Sequence, residues 1–232
     1  MHVVITGASR GIGKAVAGVF AAEGHTLLLS SRNGSSLEKT AAGLASAYPG
    51  SDIRWKAADL GLKEEARSFG EWCLGIAVPD ILVNNAGVFE PGSVHNEPEG
   101  ALESQLAVNL LGAYNLTRTL LPEMMKRGSG HIFNMCSVAA LAAYENGGAY
   151  SISKFALHGF SQNLREEMKP FGIKVTSVHP GAVMTDSWSG FDNSSARIME
   201  AEDIAKMILA SSLLSPQACV EEIVIRPRLG DL

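Results

Sequence analysis

Cysteine is scarce in this chain. Cys73, Cys136 and Cys219 are the only three in 232 residues, far apart and odd in number, which argues against a disulfide framework and against a paired-cysteine zinc site. Long apolar runs are missing too. No stretch reaches the roughly 18 residues that a membrane-crossing helix needs, and the opening MHVVITG reads as a strand rather than as a charged leader followed by an apolar core. The expectation is a protein of a reducing, cytoplasmic setting with no membrane partner. Clusters of positive charge are also absent: the 19 basic residues are scattered among 24 acidic ones, for a net charge of −5 and a pI near 5.7. A nucleic-acid partner is therefore not expected. The six histidines, His2, His25, His95, His131, His158 and His179, show no metal-ligand spacing, so no metal is expected either.

What is present is an apolar content of 46% in a 24.5 kDa chain, enough for a single α/β domain over residues 1–232 with a substantial core. Short β-branched runs at 2–6, 26–30, 52–57, 80–84, 131–135, 173–178 and 222–226 are bounded by turn residues and predict seven strands. Between them, helical periodicity covers roughly 11–23, 35–47, 63–75, 99–127, 151–169 and 201–211. Strict alternation of strand and helix implies right-handed crossovers, hence a doubly wound, Rossmann-type parallel sheet with helices on both faces. Gly24, Gly50, Gly130 and Gly172 punctuate helix ends, where a left-handed backbone is expected. The segment 186–200 has no clear periodicity and carries Trp188 and Phe191; it is the candidate lid over substrate.

The first strand runs straight into Gly7, Gly11 and Gly13 and then into a helix. Glycines there allow a tight turn and close approach of backbone to a pyrophosphate, while the helix start supplies free N–H groups and positive potential. The spacing, Gly-x-x-x-Gly-x-Gly, is distinct from the common Gly-x-Gly-x-x-Gly fingerprint. In a dinucleotide site, a carboxylate about 20 residues further on bonds a free ribose 2′-hydroxyl and repels a 2′-phosphate. Here the second strand ends in Ser30, Ser31 and Arg32 with no carboxylate. Arg32 and Arg10 suit a 2′-phosphate, so NADP(H) is expected over NAD.

Tyr150 and Lys154 are four residues apart in a helical pattern, thirteen residues after Ser137. That spacing places phenol and ammonium on one helix face. A nearby cation is expected to lower the tyrosine pKa, giving a group able to protonate a forming alkoxide and to reclaim the proton in reverse. Chance produces such a pair on many amphipathic helices. The glycine turn and Ser137 distinguish this one.

Taken together, these motifs resemble those of the short-chain dehydrogenase/reductase family in its compact single-domain form, over essentially the whole chain. Thr6 to Gly13, with Ser9, Arg10, Gly11 and Ile12, resembles the family's cofactor turn. Asp59 with Leu60 resembles its adenine-holding acid, and Asn84, Asn85, Ala86 and Gly87 its Asn-Asn-Ala-Gly segment. Asn109, Ser137, Tyr150 and Lys154 match its catalytic four. Pro180, Gly181, Val183 and Thr185 resemble the segment that contacts the nicotinamide carboxamide. The resemblance implies reduction of a ketone by hydride transfer, with Tyr150 as general acid and Ser137 polarising the carbonyl oxygen. Lys154 would hold the nicotinamide ribose and Asn109 an ordered water. It also implies a homodimer or homotetramer through the helices at 99–127 and 151–169, whose apolar positions include Leu106, Leu110, Leu111, Phe155, Leu157 and Phe160. The substrate stays open among a small carbonyl compound, a 3-oxoacyl thioester and a pterin-like diketone. The alternatives are a noncatalytic nucleotide-sensing module and an NAD-dependent alcohol dehydrogenase.

Overall fold

Alternation along the strands decides the architecture. In a computed structural model, which describes residues 1–185, 188 and 190–230, seven strands form one parallel sheet in the order β3-β2-β1-β4-β5-β6-β7. They are β1 (His2–Thr6), β2 (Thr26–Ser31), β3 (Ile53–Ala57), β4 (Ile81–Asn84), β5 (Gly130–Met135), β6 (Ile173–Pro180) and β7 (Glu222–Ile225). Val3, Ile5, Leu27, Leu29, Ile81, Val83, Phe133 and Met135 enter one apolar core. The intervening Val4, Leu28, Leu82 and Ile132 enter the other. Side chains on a strand point to opposite faces with period two, so strands apolar at every position require cover on both sides.

That cover comes from helices with a single apolar stripe each. α1 (Gly11–Ala22), α2 (Gly34–Ala47) and α7 (Ala201–Ser212) pack on the first face, with Val16, Phe20, Leu37, Leu44, Ile204 and Ile208 inward. α3 (Lys63–Leu74), α5 (Ala113–Arg127) and α6 (Gly148–Met168) cover the second through Phe69, Leu116, Leu120, Met124 and Leu164. Asn33 caps α2 by accepting from Ser36 N–H at 2.9 Å, and Glu200 with Asp203 forms a capping box at the start of α7, both satisfying donors that a helix start leaves open.

The expected elements are all found, with local differences. The helical pattern at 99–127 is α4 (Ala101–Leu106) and α5 joined by a π-helical stretch, Ala107–Gly112. Such wide turns are rare and cluster at functional sites. Gly112 sits there because a Cβ would lie 2.8 Å from the Leu60 carbonyl oxygen. Gly24, Gly130 and Gly172 take the expected positive φ, but Gly50 does not; the left-handed residue ending α5 is Gly128, at φ 71°. Leu157, expected on an exposed dimer face, is buried against Ala113, Cys136 and Ala140. Of the expected lid segment, positions 186, 187 and 189 lie outside the described residues. Its base is pinned by a parallel bridge between Val183 and Met199. Among the described residues, no helix is long and apolar enough to cross a membrane.

Candidate active site

In a parallel sheet every strand delivers its carboxyl end to the same edge, and the crevice opens where strand order reverses. Here that point is β1, paired to β2 on one side and β4 on the other. A cleft of about 1130 Å³ lies there. Its wall is made by the residues just past all seven strands, among them Gly7, Arg32, Asp59, Asn85, Ser137, Gly181 and Arg226.

The glycine turn is held from behind. Thr6 Oγ1 accepts from the N–H groups of Asn85 and Ala86, both at 2.9 Å, and donates to Val83 O at 3.3 Å. Asn85 Nδ2 donates to the carbonyls of Thr6 and Gly7 at 2.9 and 3.2 Å. Gly7 has φ 64°, and a Cβ on it would stand 2.9 Å from Asn85 Nδ2. The N-cap of α1 is Arg10, which puts no side-chain oxygen on the first-turn N–H groups, and no acidic residue lies in that turn. An anion is the natural partner for such a helix start. Ser9, Arg10, Gly11, Ile12, Ser31, Arg32, Asp59, Leu60, Asn85, Ala86, Gly87, Pro180, Gly181, Val183 and Thr185 all line the cleft. Gly13 is not on its wall. It lets α1 approach the sheet, since a side chain there would overlap the Gly7 carbonyl oxygen.

Ser137, Tyr150 and Lys154 converge on one stretch of the cleft wall. Ser137 ends the turn after β5, its hydroxyl accepting from Ala139 N–H at 3.1 Å. Tyr150 lies in the first turn of α6, and its ring meets Phe89 edge-on, centroids 4.7 Å apart. Lys154 is one turn on, its Nζ 2.8 Å from Met135 O and 5.7 Å from the Tyr150 ring centroid. The expected lowering of the tyrosine by the lysine is not found. Burial holds the Tyr150 phenol above its ordinary value, with the Ser137 hydroxyl pulling the other way. Lys154 is itself buried, and desolvation brings its ammonium down to about 8. Desolvation is the larger effect on both groups.

Asn109 sits in the π-helical stretch, fully buried and off the cleft wall. Its Oδ1 accepts from Val88 N–H at 2.8 Å, and its Nδ2 donates to Val88 O at 3.0 Å and Ser153 Oγ at 2.9 Å. The side chain is thus committed to bracing the loop after β4. Asn84 lies deeper, donating to Thr117 Oγ1 and Asn134 Oδ1 at 3.0 and 2.8 Å. It ties β4 to α5 and β5.

Several contributors have no signal in the sequence. Glu97 Oε1 accepts from Ala149 N–H at 2.7 Å and so caps α6, at whose start Gly147 offers no side chain. Tyr144, Phe89, Val138 and Ala142 also line the cleft, and Arg226 reaches it from the end of β7. Trp188, singled out in the sequence on the candidate lid, lines it as well and meets Phe191 edge-on at 5.3 Å. Met135 and Cys136 line it too, whereas Met184 and Met199 do not; burial pushes the Cys136 thiol up to about 11, which keeps it protonated and inert.

The profile of the short chain dehydrogenase family matches residues 1–195. The chain belongs to that family. This short-chain dehydrogenase is an oxidoreductase by that membership. It is 35% identical to the sepiapterin reductase of Chlorobaculum tepidum, over 99% of this chain and 97% of that one. Among solved structures, it superposes with TM-score 0.91 and 27% identity on an alcohol dehydrogenase of the archaeon Thermococcus sibiricus complexed with 5-hydroxy-NADP, covering 98% and 96% of the two chains. A metagenomic short-chain oxidoreductase in complex with NADP superposes with TM-score 0.85 and 30% identity, covering 98% and 96%.

Proposed function

We propose that this chain is an NADP(H)-dependent carbonyl reductase whose proton donor is Tyr150. The observation that carries the reading is the convergence of Ser137, Tyr150 and Lys154 in the same cleft as a helix start that has no side-chain cap and lies beside Arg10 and Arg32.

The residues present fit the dinucleotide. Gly7 and Gly11 leave backbone exposed beside the α1 N-terminus for the pyrophosphate. Ser31, whose Oγ lies 2.9 Å from Ser9 Oγ, and Arg32 stand where a carboxylate would repel a 2′-phosphate. Asp59 and Leu60 would flank the adenine, and Pro180, Gly181, Val183 and Thr185 the nicotinamide. Bound there, the cofactor supplies the hydride. Lys154 orients the ribose, Ser137 donates a hydrogen bond to the substrate oxygen, and Tyr150 gives its proton to that oxygen as negative charge develops. Burial, by keeping the phenol protonated at neutral pH, suits the reductive direction. Asn109 acts by holding the loop after β4 and, through its main chain, a water behind Lys154.

A carbonyl on a flat ring suits the wall of Phe89, Tyr144 and Trp188, and the similarity to a sepiapterin reductase supports a pterin-like diketone over a 3-oxoacyl thioester. The test is oxidation of NADPH and NADH by the purified protein against diketones, simple ketones, quinones and 3-oxoacyl thioesters. Turnover with NADPH and a cyclic diketone is expected. Tight NADPH binding with no turnover across the panel would favour the sensing module. In Arg32→Asp, NADPH should bind weaker by about 1 kcal/mol or more, the scale of a lost charge-assisted bond. Unchanged preference for NADPH over NADH would place the 2′-phosphate elsewhere.

A homodimer or homotetramer is part of the same reading. Leu111, Tyr114, Ile152 and Phe155 are exposed on or beside α5 and α6, an apolar face that a second copy would cover. Light scattering after size-exclusion chromatography should give at least twice the chain mass, and a monomer would reject it.

A further inference from the structure

Behind Ser137, away from the cleft, lie two histidines and a glutamate that the reduction does not use. His158 is on α6 one turn beyond Lys154, His179 precedes Pro180 at the end of β6, and Glu222 opens β7. One ligand atom from each lies within 4.8 Å of the other two. His158 Nε2 and Glu222 Oε1 are 3.1 Å apart, and the imidazoles meet edge-on with centroids at 4.6 Å.

The tautomer of His179 follows from its neighbour. Nδ1 lies 3.0 Å from Ser137 O, and a carbonyl only accepts, so Nδ1 carries the proton. Nε2 is then a lone pair. It is buried, with no hydrogen-bond partner among the described residues, on a side chain with no exposed surface. A buried polar atom left unpaired costs about 1–3 kcal/mol and calls for an explanation.

We propose that His158, His179 and Glu222 form a site for a divalent transition-metal ion of the zinc class. Two imidazole nitrogens and one carboxylate suit zinc far better than magnesium or calcium. An N–H donated from the far ring nitrogen to a backbone carbonyl is the usual way a metal-binding histidine is oriented. Zinc–ligand distances of about 2.0–2.2 Å require the three atoms to draw in. Glu222 can supply that movement: its side chain is 41% exposed, and it borders a second small cleft with Ser161, Arg165 and Ser177. The fourth position is left to water. Spacing in the chain could not reveal the site, because its ligands come from one helix and two strands that meet only in the folded sheet.

The ion would brace α6, β6 and β7 directly behind Ser137. The experiment is titration of the chelator-stripped full chain with Zn²⁺, followed by calorimetry and thermal unfolding, with Co²⁺ as the spectroscopic probe. One equivalent should bind, the melting temperature should rise with metal, and Co²⁺ should give the intense visible bands of a low-coordinate N/O site. His158→Gln and Glu222→Gln should each weaken Zn²⁺ binding by more than the roughly 10–100-fold typical of outer-shell changes. Glu222 is exposed enough that its variant keeps the fold, checked by metal-free unfolding. No stoichiometric binding to wild type, equal affinity in the folded Glu222→Gln variant, or a weak octahedral Co²⁺ spectrum would each overturn the proposal.

Discussion

Replacing Tyr150 with phenylalanine should lower turnover by about 10²–10⁴-fold, the usual worth of a positioned general acid, while NADPH binding stays nearly unchanged. The expectation rests on how little else the hydroxyl does. The ring's edge-on contact with Phe89 survives the change. The helix that carries it is anchored independently, by Glu97 at its first turn and by Ser151 Oγ donating to Ala139 O at 2.7 Å. Lys154 keeps its bond to Met135 O. What is lost is the proton donor and its hydrogen bond with the Ser137 hydroxyl. Steady-state kinetics with a fluorescence titration of NADPH separates the two effects: kcat should fall with the cofactor affinity intact. Retention of most of the wild-type turnover would remove Tyr150 from the role.

The second large effect is expected at Gly13, and its sign runs against helix propensity. Gly13 lies inside α1, where alanine is ordinarily better than glycine by about 1 kcal/mol. A methyl group there would overlap the Gly7 carbonyl oxygen and stand 2.5 Å from Asn85 Nδ2. Neither neighbour can give way cheaply. Gly7 is backbone in a left-handed turn, and Asn85 is bonded to Thr6 O and Gly7 O. Gly13→Ala should therefore destabilise the fold by about 1–3 kcal/mol, as overpacking does, and abolish measurable NADPH binding by displacing the turn. Gly18, on the same helix, has nothing within 4 Å of a built Cβ, so Gly18→Ala should stabilise by up to about 1 kcal/mol. Urea unfolding of both variants checks the contrast, and equal behaviour would mean that α1 is not pressed against the turn.

The sheet and its helices were legible because strand and helix each write their period into a few neighbouring residues. The cofactor turn and the Tyr150–Lys154 pair were legible for the same reason, being local motifs. Other features were not. Leu157 reads as one more apolar residue on a helix with apolar positions all round, and only packing against Ala113 and Cys136 shows that it points inward. The π-helical stretch at Ala107–Gly112 has no mark of its own in an otherwise regular pattern. Lys154 promised an electrostatic effect on Tyr150 from its spacing alone. Burial of both groups reversed the direction.

By itself, then, the sequence determined the fold class, the glycine turn after β1, the lack of a carboxylate at the end of β2 and the spacing of Ser137, Tyr150 and Lys154. All of these depend on residue type and short spacing. The tertiary structure alone decided that Glu97 caps α6, that Arg226 reaches the cleft, that Asn109 braces Val88 and Ser153, and that His158, His179 and Glu222 meet behind Ser137. Each of these joins residues distant in the chain, and their proximity is set by strand order and by helix packing on the sheet, which no local pattern encodes.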